Sequence, residues 1–264
     1  MRRVVIAGLG ALGLLLATPS AQATTLDLTT AGADGFINDA YFLQVDPSST
    51  GSGVIDSFVR ISDASKKTGA EVEGYNTDGR PTAFDENSSP VFTHSIQLSD
   101  IPIVTIDGID YREFLLDINQ KRRKPFLSLD ELQIYLNGTD GDLTTATLAD
   151  LGTLIYDLDG DEASWIKLNY SLNHGSGTGD MFAYIPDDLF TGADSQFVYL
   201  YSLFGSNHRN NDGFEEWAVR TGESCTPETC PPPPPPVIPE PASLLLTGTG
   251  LLGLLGAGAS RKRA

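Results

Sequence analysis

The sequence predicts an all-β protein, with an antiparallel β-sandwich of jelly-roll-like form as its domain. Three observations predict it. Apolar and polar residues alternate with a period of two along about eleven segments, and residues that favour turns separate these segments. No long segment shows the 3.6-residue periodicity of an amphipathic helix. Many antiparallel strands without crossover helices close into a sandwich or a barrel, and we expect the sandwich.

The clearest predicted hairpin joins strands over 103–106 and 109–118. Asp107-Gly108 between them suits a type I′ turn, in which both central residues have positive φ. The alternation is also strong over 165–172, and one helical turn is expected over 187–190. The other predicted strands are 36–45, 54–61, 70–75, 92–98, 132–136, 154–157, 181–185, 196–204 and 214–220.

The chain is strongly acidic, with a formal net charge of −18 over 264 residues. Residues 24–222 contain 12 of its 17 basic residues and 32 of its 35 acidic residues, a net charge of −20. Binding to nucleic acid requires basic clusters facing the phosphates, so this balance argues against it. A high negative charge suits solubility outside the cell or cation binding, and aspartates are also frequent in the turns of β proteins.

The N-terminus has the three parts of a secretory signal peptide. Arg2 and Arg3 precede an apolar run over 4–17, and Ala21-Gln22-Ala23 has the small-x-small pattern of a signal peptidase site. We therefore expect a signal peptide over 1–23, cleaved after Ala23 by signal peptidase. An uncleaved anchor is the alternative.

The C-terminus has the parts of a membrane segment. Residues 242–260 are uncharged and apolar, and as a helix they would be about 28 Å long, close to the thickness of a bilayer core. Arg261, Lys262 and Arg263 predict a cytoplasmic end. Six prolines over 231–236 predict a stiff polyproline II spacer. A buried core helix is the alternative.

Two cysteines, Cys225 and Cys230, lie in the linker over 223–236 and outside the domain over 24–222. In an exported protein a small disulfide loop is expected, with free thiols as the alternative. Two thiolates are too few to close a structural zinc site.

Pro239-Glu240-Pro241, the apolar span and the terminal basic residues together resemble the PEP-CTERM protein-sorting domain, over 237–264. The resemblance implies recognition by exosortase, a membrane-embedded cysteine protease, with cutting near the Pro-Glu-Pro motif and transfer toward the cell surface. It implies that the apolar span is a processing signal, resident in the inner membrane only transiently.

The domain resembles an uncharacterised group of exported β proteins that carry this tail. Four stretches carry the resemblance: Gly53–Asp56, Gly74–Thr77, Phe114–Gln120 and Gly213–Trp217. The group brings no assigned activity. Families with the PEP-CTERM tail accompany exopolysaccharide production, which implies a role in a biofilm or floc matrix.

The densest acidic run, 157–162, is a candidate calcium site through Asp157, Asp159 and Asp161, because calcium binds six to eight hard oxygens. It does not fit an EF-hand, since glycine occupies the fourth position and Leu168 the twelfth. A hairpin turn is the alternative. A second oxygen-rich run comprises Asn207, Asn210, Asn211, Asp212, Glu215 and Glu216.

Three further features each have two interpretations. The basic run 121–124 could bind an anionic polysaccharide or be a solvated hairpin tip. Four aromatic residues could form a platform for sugar rings or belong to the core: Trp165, Tyr199, Tyr201 and Trp217. The glycine-rich segment 174–180 matches neither a nucleophile elbow nor a P-loop, and we expect a loop there.

We therefore expect an exported, non-catalytic cell-surface or extracellular-matrix protein that is sorted by exosortase and linked to exopolysaccharide. No catalytic residue is predicted. A carbohydrate-binding module, with calcium as a stabilising ion, is the first alternative. A polysaccharide-active enzyme on the same fold is the second.

Overall fold

The computed structural model describes residues 24–44, 57–63, 69–138, 140–160, 163–173 and 179–220. The predicted signal peptide, the linker with Cys225 and Cys230, and the sorting segment with Pro239, Glu240 and Pro241 lie outside the described residues, as does Asp161. Within the described residues, no helix is long and apolar enough to cross a membrane.

Strands make up most of the regular structure in this part of the chain. Three short 3₁₀ turns accompany them, over Leu98–Asp100, Leu148–Leu151 and Asp187–Leu189. The strands are β1 Thr25–Asp27, β2 Asp34–Ile37, β3 Ala40–Gln44, β4 Ser57–Ile61, β5 Val72–Tyr75, β6 Ile96–Gln97, β7 Ile103–Ile106, β8 Ile109–Asp117, β9 Phe126–Asn137, β10 Thr153–Asp157, β11 Trp165–Asn169, β12 Met181–Pro186, β13 Phe197–Phe204 and β14 Glu215–Ala218.

The strands form two sheets. The first has the order β1-β11-β9-β13-β5, with β10 also paired to β9 and β6 to β13; the second has the order β2-β3-β12-β8-β14-β4, with β7 paired to β8. Pairing among these strands is antiparallel, except for β1 with β11. The all-β class is confirmed, and two such sheets with a shared apolar core are consistent with a β-sandwich.

Alternation along β13 shows how the core is built. Val198, Leu200 and Phe204 belong to the large core cluster, which takes buried residues from both sheets. Tyr199 and Tyr201 point to the other face, where they join a separate buried cluster that side chains from the 83–84 and 143–151 segments cover. A strand that is buried on both faces has a nearly continuous run of apolar residues in its sequence, as residues 197–204 have.

The predicted 103–118 hairpin is confirmed, because Asp107 and Gly108 have φ angles of 52° and 83° between β7 and β8. The single strand predicted over 36–45 is wrong. Asn38 and Asp39 have φ angles of 49° and 65°, so the chain reverses there and forms β2 and β3 instead. Asn and Asp tolerate the left-handed conformation better than other non-glycine residues, which permits this turn without glycine.

Three other predicted boundaries differ from the structure. The strand over 92–98 is reduced to β6, and the strand over 165–172 ends at Asn169, whose side-chain oxygen accepts the Ser171 amide at 3.0 Å in a local turn. The strand predicted over 132–136 is the second half of the much longer β9. Its first half alternates as well, with Leu127 and Leu129 in the core, but the register shifts at Asp130 and the apolar positions change phase there.

Candidate functional site

Two polar side chains of β9 fix the loop that follows β13. The Ser128 hydroxyl accepts the amides of Asn207 and His208 at 3.1 and 2.8 Å. It also donates to the Asp130 carboxylate at 2.7 Å, and that carboxylate accepts the Ser206 amide at 2.7 Å. These buried polar groups therefore accept hydrogen bonds from backbone amides of the loop, which would otherwise lack acceptors.

A second set of bonds ties the same loop to the segment before β9. The Gln120 side chain donates to Asn210 Oδ1 at 3.1 Å and accepts the Asn211 amide at 3.0 Å. Asn211 Oδ1 accepts the Lys121 amide at 2.9 Å, and its Nδ2 donates to the Lys124 carbonyl at 2.8 Å. Asn210 and Asn211 therefore tie this loop to the segment before β9, and cation binding by the oxygen-rich run stays a prediction.

A groove of about 460 Å³ lies between the two tied segments. We call it the basic groove. Its lining residues are Gly69, Arg123, Lys124, Pro125, Phe126, His208, Arg209, Asn210 and Asn211.

Aromatic rings lie beside the charges of the basic groove. Phe126, at the start of β9, is 41% exposed, and Lys167 Nζ lies 4.8 Å from the centre of its ring. The His208 ring is 6.2 Å from Phe126 and 5.5 Å from Trp165, centre to centre. Trp165 and Lys167 are two residues apart on β11, so their side chains lie on the same face of the first sheet. Lys167 pairs in register with Ser128, which places Ser128 on that face as well.

Half of the basic residues of the domain gather here. Of the 12 lysines and arginines in residues 24–222, the run 121–124, Lys167 and Arg209 line the groove or adjoin its lining. Elsewhere in the described residues, three arginines form ion pairs with acids: Arg60–Glu216, Arg112–Asp187 and Arg220–Glu113. None of these ion pairs between described residues includes a lysine or arginine of the basic groove. The positive charge of the groove is therefore available to bind an anion.

The surroundings of His208, at the edge of the basic groove, favour its neutral imidazole. Partial burial lowers the pKa of its imidazole, and Lys167 lowers it further, against the opposing charges of Asp130 and Asp27. Between described residues, no hydrogen bond joins the imidazole of His208 or of His94 to a carboxylate. His174 lies outside the described residues.

Buried carboxyl groups lie behind the basic groove. Asp180 accepts the Ile118 amide at 2.8 Å, and Glu215 accepts the Asn119 amide at 3.0 Å and the Gln120 side chain at 2.9 Å. Burial raises the pKa of Glu215 and of Asp180 well above the usual range, and the charge of Asp117 raises both further. In the part of the chain that the structure describes, no three His, Cys, Asp or Glu residues are grouped so as to hold a metal ion.

The described part of the acidic run, 157–160, forms a turn at the end of β10. The Asp159 amide donates to Asp157 Oδ1 at 3.0 Å, and Gly160 has a φ of 51°. Burial raises the pKa of Asp159, and the charge of Asp157 adds to that effect. Asp157 and Gly160 also line a second groove of about 650 Å³, together with Phe36 and Tyr111. Because Asp161 lies outside the described residues, calcium binding by Asp157, Asp159 and Asp161 stays a prediction.

The aromatic platform suggested by the sequence is not formed by the residues named for it. Tyr199 and Trp217 are 0% exposed and Tyr201 is 2% exposed, so all three belong to packed clusters. Trp165 alone of the four is partly exposed, beside the basic groove. Phe126 and His208, which the sequence did not single out as its neighbours, complete the aromatic side of the site.

These features define a two-sheet β protein with a positively charged surface groove on an acidic domain. No protein-family model, no curated protein and no solved structure matches this chain.

Proposed function

We propose that the chain is an exported, non-catalytic protein of the cell surface or extracellular matrix, with a jelly-roll-like sandwich as its working domain. Exosortase would deliver it after signal peptidase has removed residues 1–23. One observation carries the proposal: a signal-like N-terminus and a tripartite tail, Pro239-Glu240-Pro241 followed by an apolar span and three basic residues, bracket a single acidic domain.

The domain supports this proposal in two ways. Its net charge of −20 over residues 24–222 favours solubility outside the cell. The polar loops are fixed by partly buried hydrogen bonds, such as those of Ser128 and Asn211, and residues 24–222 contain no cysteine. The predicted disulfide between Cys225 and Cys230 would stiffen only the stalk.

A substitution in the tail tests the proposal in the native host. We expect Glu240→Ala to leave a longer form in the inner membrane, detectable by fractionation and immunoblot, because the sorting motif is broken. Glu228→Ala is the matched control, since it removes the same charge in the linker and should be processed normally. Normal processing and release of the Glu240→Ala chain would refute sorting through this motif.

A link to exopolysaccharide is the second part of the proposal. The positively charged groove on an otherwise acidic domain favours it, since such a site suits an anionic partner outside the cell.

A further inference from the structure

We propose that the basic groove binds an acidic polysaccharide, whose carboxylate or sulfate groups face Arg123, Lys124 and Arg209 while its sugar rings lie against Phe126 and Trp165. Nothing in the tail or the fold class requires such a site. The inference depends on the proposed export, because a polysaccharide partner of this kind lies outside the cell.

The charges of the groove are placed without ionic partners among the described residues. The three described ion pairs use arginines elsewhere, and Arg80 is committed to four backbone carbonyls. Arg209 makes only a 3.3 Å bond to the Gly69 carbonyl. Lys167 lies near enough to Asp27 to lower the pKa of that carboxyl, but among the described residues no acid forms an ion pair with Arg123, Lys124 or Arg209. Unpaired bases on a surface of opposite overall charge indicate an anionic ligand.

The backbone beneath these bases is held in place before any ligand arrives. Asn211 fixes the peptide groups of Lys121 and Lys124, and Ser128 fixes that of His208. A site whose loops are already ordered loses less entropy on binding, which favours measurable affinity for a flexible chain. The segment that contains the run 121–124 joins β8 of the second sheet to β9 of the first, so this run is not the tip of a hairpin.

The aromatic side of the groove favours sugar rings. Phe126 is 41% exposed and Trp165 is partly exposed, with the His208 ring near both. Amphipathic faces of sugar rings pack on such side chains, while flanking bases bind the acidic substituents. Stacked bases of single-stranded nucleic acid could use the same chemistry. The proposed export places the domain outside the cell, where an acidic polysaccharide is the expected polyanion, so the polysaccharide is favoured.

Binding is measured by calorimetry on the full chain purified in mild detergent, with a chelator present so that no cation bridges the partners. The probes are polygalacturonate, heparin, neutral dextran and a single-stranded oligonucleotide. We expect polygalacturonate or heparin to bind, with affinity falling as salt rises, and dextran not to bind. The preferred acidic probe distinguishes carboxylate from sulfate recognition. Equal binding of dextran, tighter binding of the oligonucleotide, or no binding of either acidic polysaccharide would overturn the inference.

Variants then locate the site. Arg123→Gln with Lys124→Gln should weaken binding by about tenfold or more, because two charged contacts are lost. Val91→Glu with Ile103→Glu is the matched control: it changes the net charge equally at exposed positions outside the groove lining, and affinity should change less than about threefold. If both double variants lost the same affinity, binding would depend on overall charge, and the proposed site would be wrong.

A third variant tests the aromatic side separately. Phe126→Ser keeps every charge, so we expect affinity to fall several-fold while the salt dependence is unchanged. Full affinity would remove the ring from the site and contradict the sugar-stacking part. Failure of polysaccharide binding together with normal processing of the tail would overturn only this inference. Failed processing with intact binding would instead overturn the proposed sorting.

Discussion

The Trp217 indole Nε1 donates a hydrogen bond to the Ser202 hydroxyl at 3.0 Å, and both residues are 0% exposed. Trp217 lies on β14 of the second sheet and Ser202 on β13 of the first. This bond therefore joins the two sheets through the core. A buried tryptophan requires a partner for its N–H, and the only hydroxyl on the inner face of β13 supplies it.

Loss of either member should destabilise the domain. Ser202→Ala leaves the indole N–H buried without a partner, so we expect the free energy of unfolding to fall by about 1–3 kcal/mol. Trp217→Phe also leaves a cavity and should cost about 2–4 kcal/mol. Urea unfolding of the full chain measures both. Ser99→Ala, at an exposed position, should change stability by less than about 0.5 kcal/mol. A Ser202→Ala chain as stable as the native one would mean that this bond contributes nothing.

The buried acids should make stability depend on pH. Burial raises the pKa of Asp180 and Glu215 in the folded chain above their ordinary values of 3.8 and 4.5. The unfolded chain therefore releases these protons first as pH rises, and the folded state loses stability above pH 4 until the raised values are passed. Asp180→Asn removes this penalty. We expect the urea concentration at its unfolding midpoint, relative to that of the native chain, to increase as the pH is raised from 4 to 8.

Asp27 supplies a control of opposite sign. The Thr29 hydroxyl, more than any other group, lowers the pKa of Asp27 below 3.8, so its contribution is present above that value and is lost as pH falls through the lowered one. At neutral pH the Asp27→Asn chain should unfold at a lower urea concentration than the native chain. Because Asp27 is largely exposed, the change should be small. If Asp180→Asn shows no dependence on pH, the burial assigned to its carboxyl is wrong.

The turn between β2 and β3 can be improved. Asp39 has a φ of 65°, which costs free energy for any residue with a Cβ, and type I′ turns prefer Asn-Gly. Asp39→Gly should raise the free energy of unfolding by about 0.5–1 kcal/mol, seen as a higher melting temperature. Gly108→Ala is the converse test. It has φ 83° and open space around its Cβ position, so it should lose about 1 kcal/mol through backbone strain alone. A lower melting temperature for Asp39→Gly would contradict the turn.

The loop tie at Asn211 should support the groove. Asn211→Ala removes the acceptor for the Lys121 amide and the donor to the Lys124 carbonyl, so we expect a loss of about 1–3 kcal/mol of stability. Polygalacturonate binding should weaken as well, because the bases of the 121–124 run lose their fixed backbone. Asn87→Ala removes a local loop bond, the 2.9 Å bond to the Ser89 amide, outside the groove lining. It should affect stability without affecting binding. Unchanged binding by Asn211→Ala would show that loop order does not matter there.

The fold class could be predicted because apolar and polar residues alternate along a strand that packs on one face only. A turn sequence next to such a strand also marks where it ends. The 103–118 segment contained both strands and an Asp-Gly turn in one local stretch. The full length of β9 could not be predicted, since the alternation changes phase at Asp130: Leu127 and Leu129 face the core before it, and Leu132 and Ile134 after it. The partners of Ser128 and Asp130, the amides of 206–208, are about eighty residues away.

The basic groove could be predicted only in part. The run 121–124 and Trp165 were recognisable as isolated features, each with a bland alternative. Their meeting depends on β9 lying between β11 and β13, which places Lys167 beside Phe126 and the 206–211 loop against Ser128. Strand order of this kind is set by the packing of the whole domain, and no local pattern encodes it.

The intact mass of the protein recovered from the surface of its own cells tests the proposed export and sorting most directly. We predict a chain that begins at Thr24 and lacks the apolar span 242–260 and the terminal Arg261, Lys262 and Arg263. A surface protein whose mass corresponds to the full sequence from Met1 to Ala264 would contradict both the signal peptide and the sorting tail.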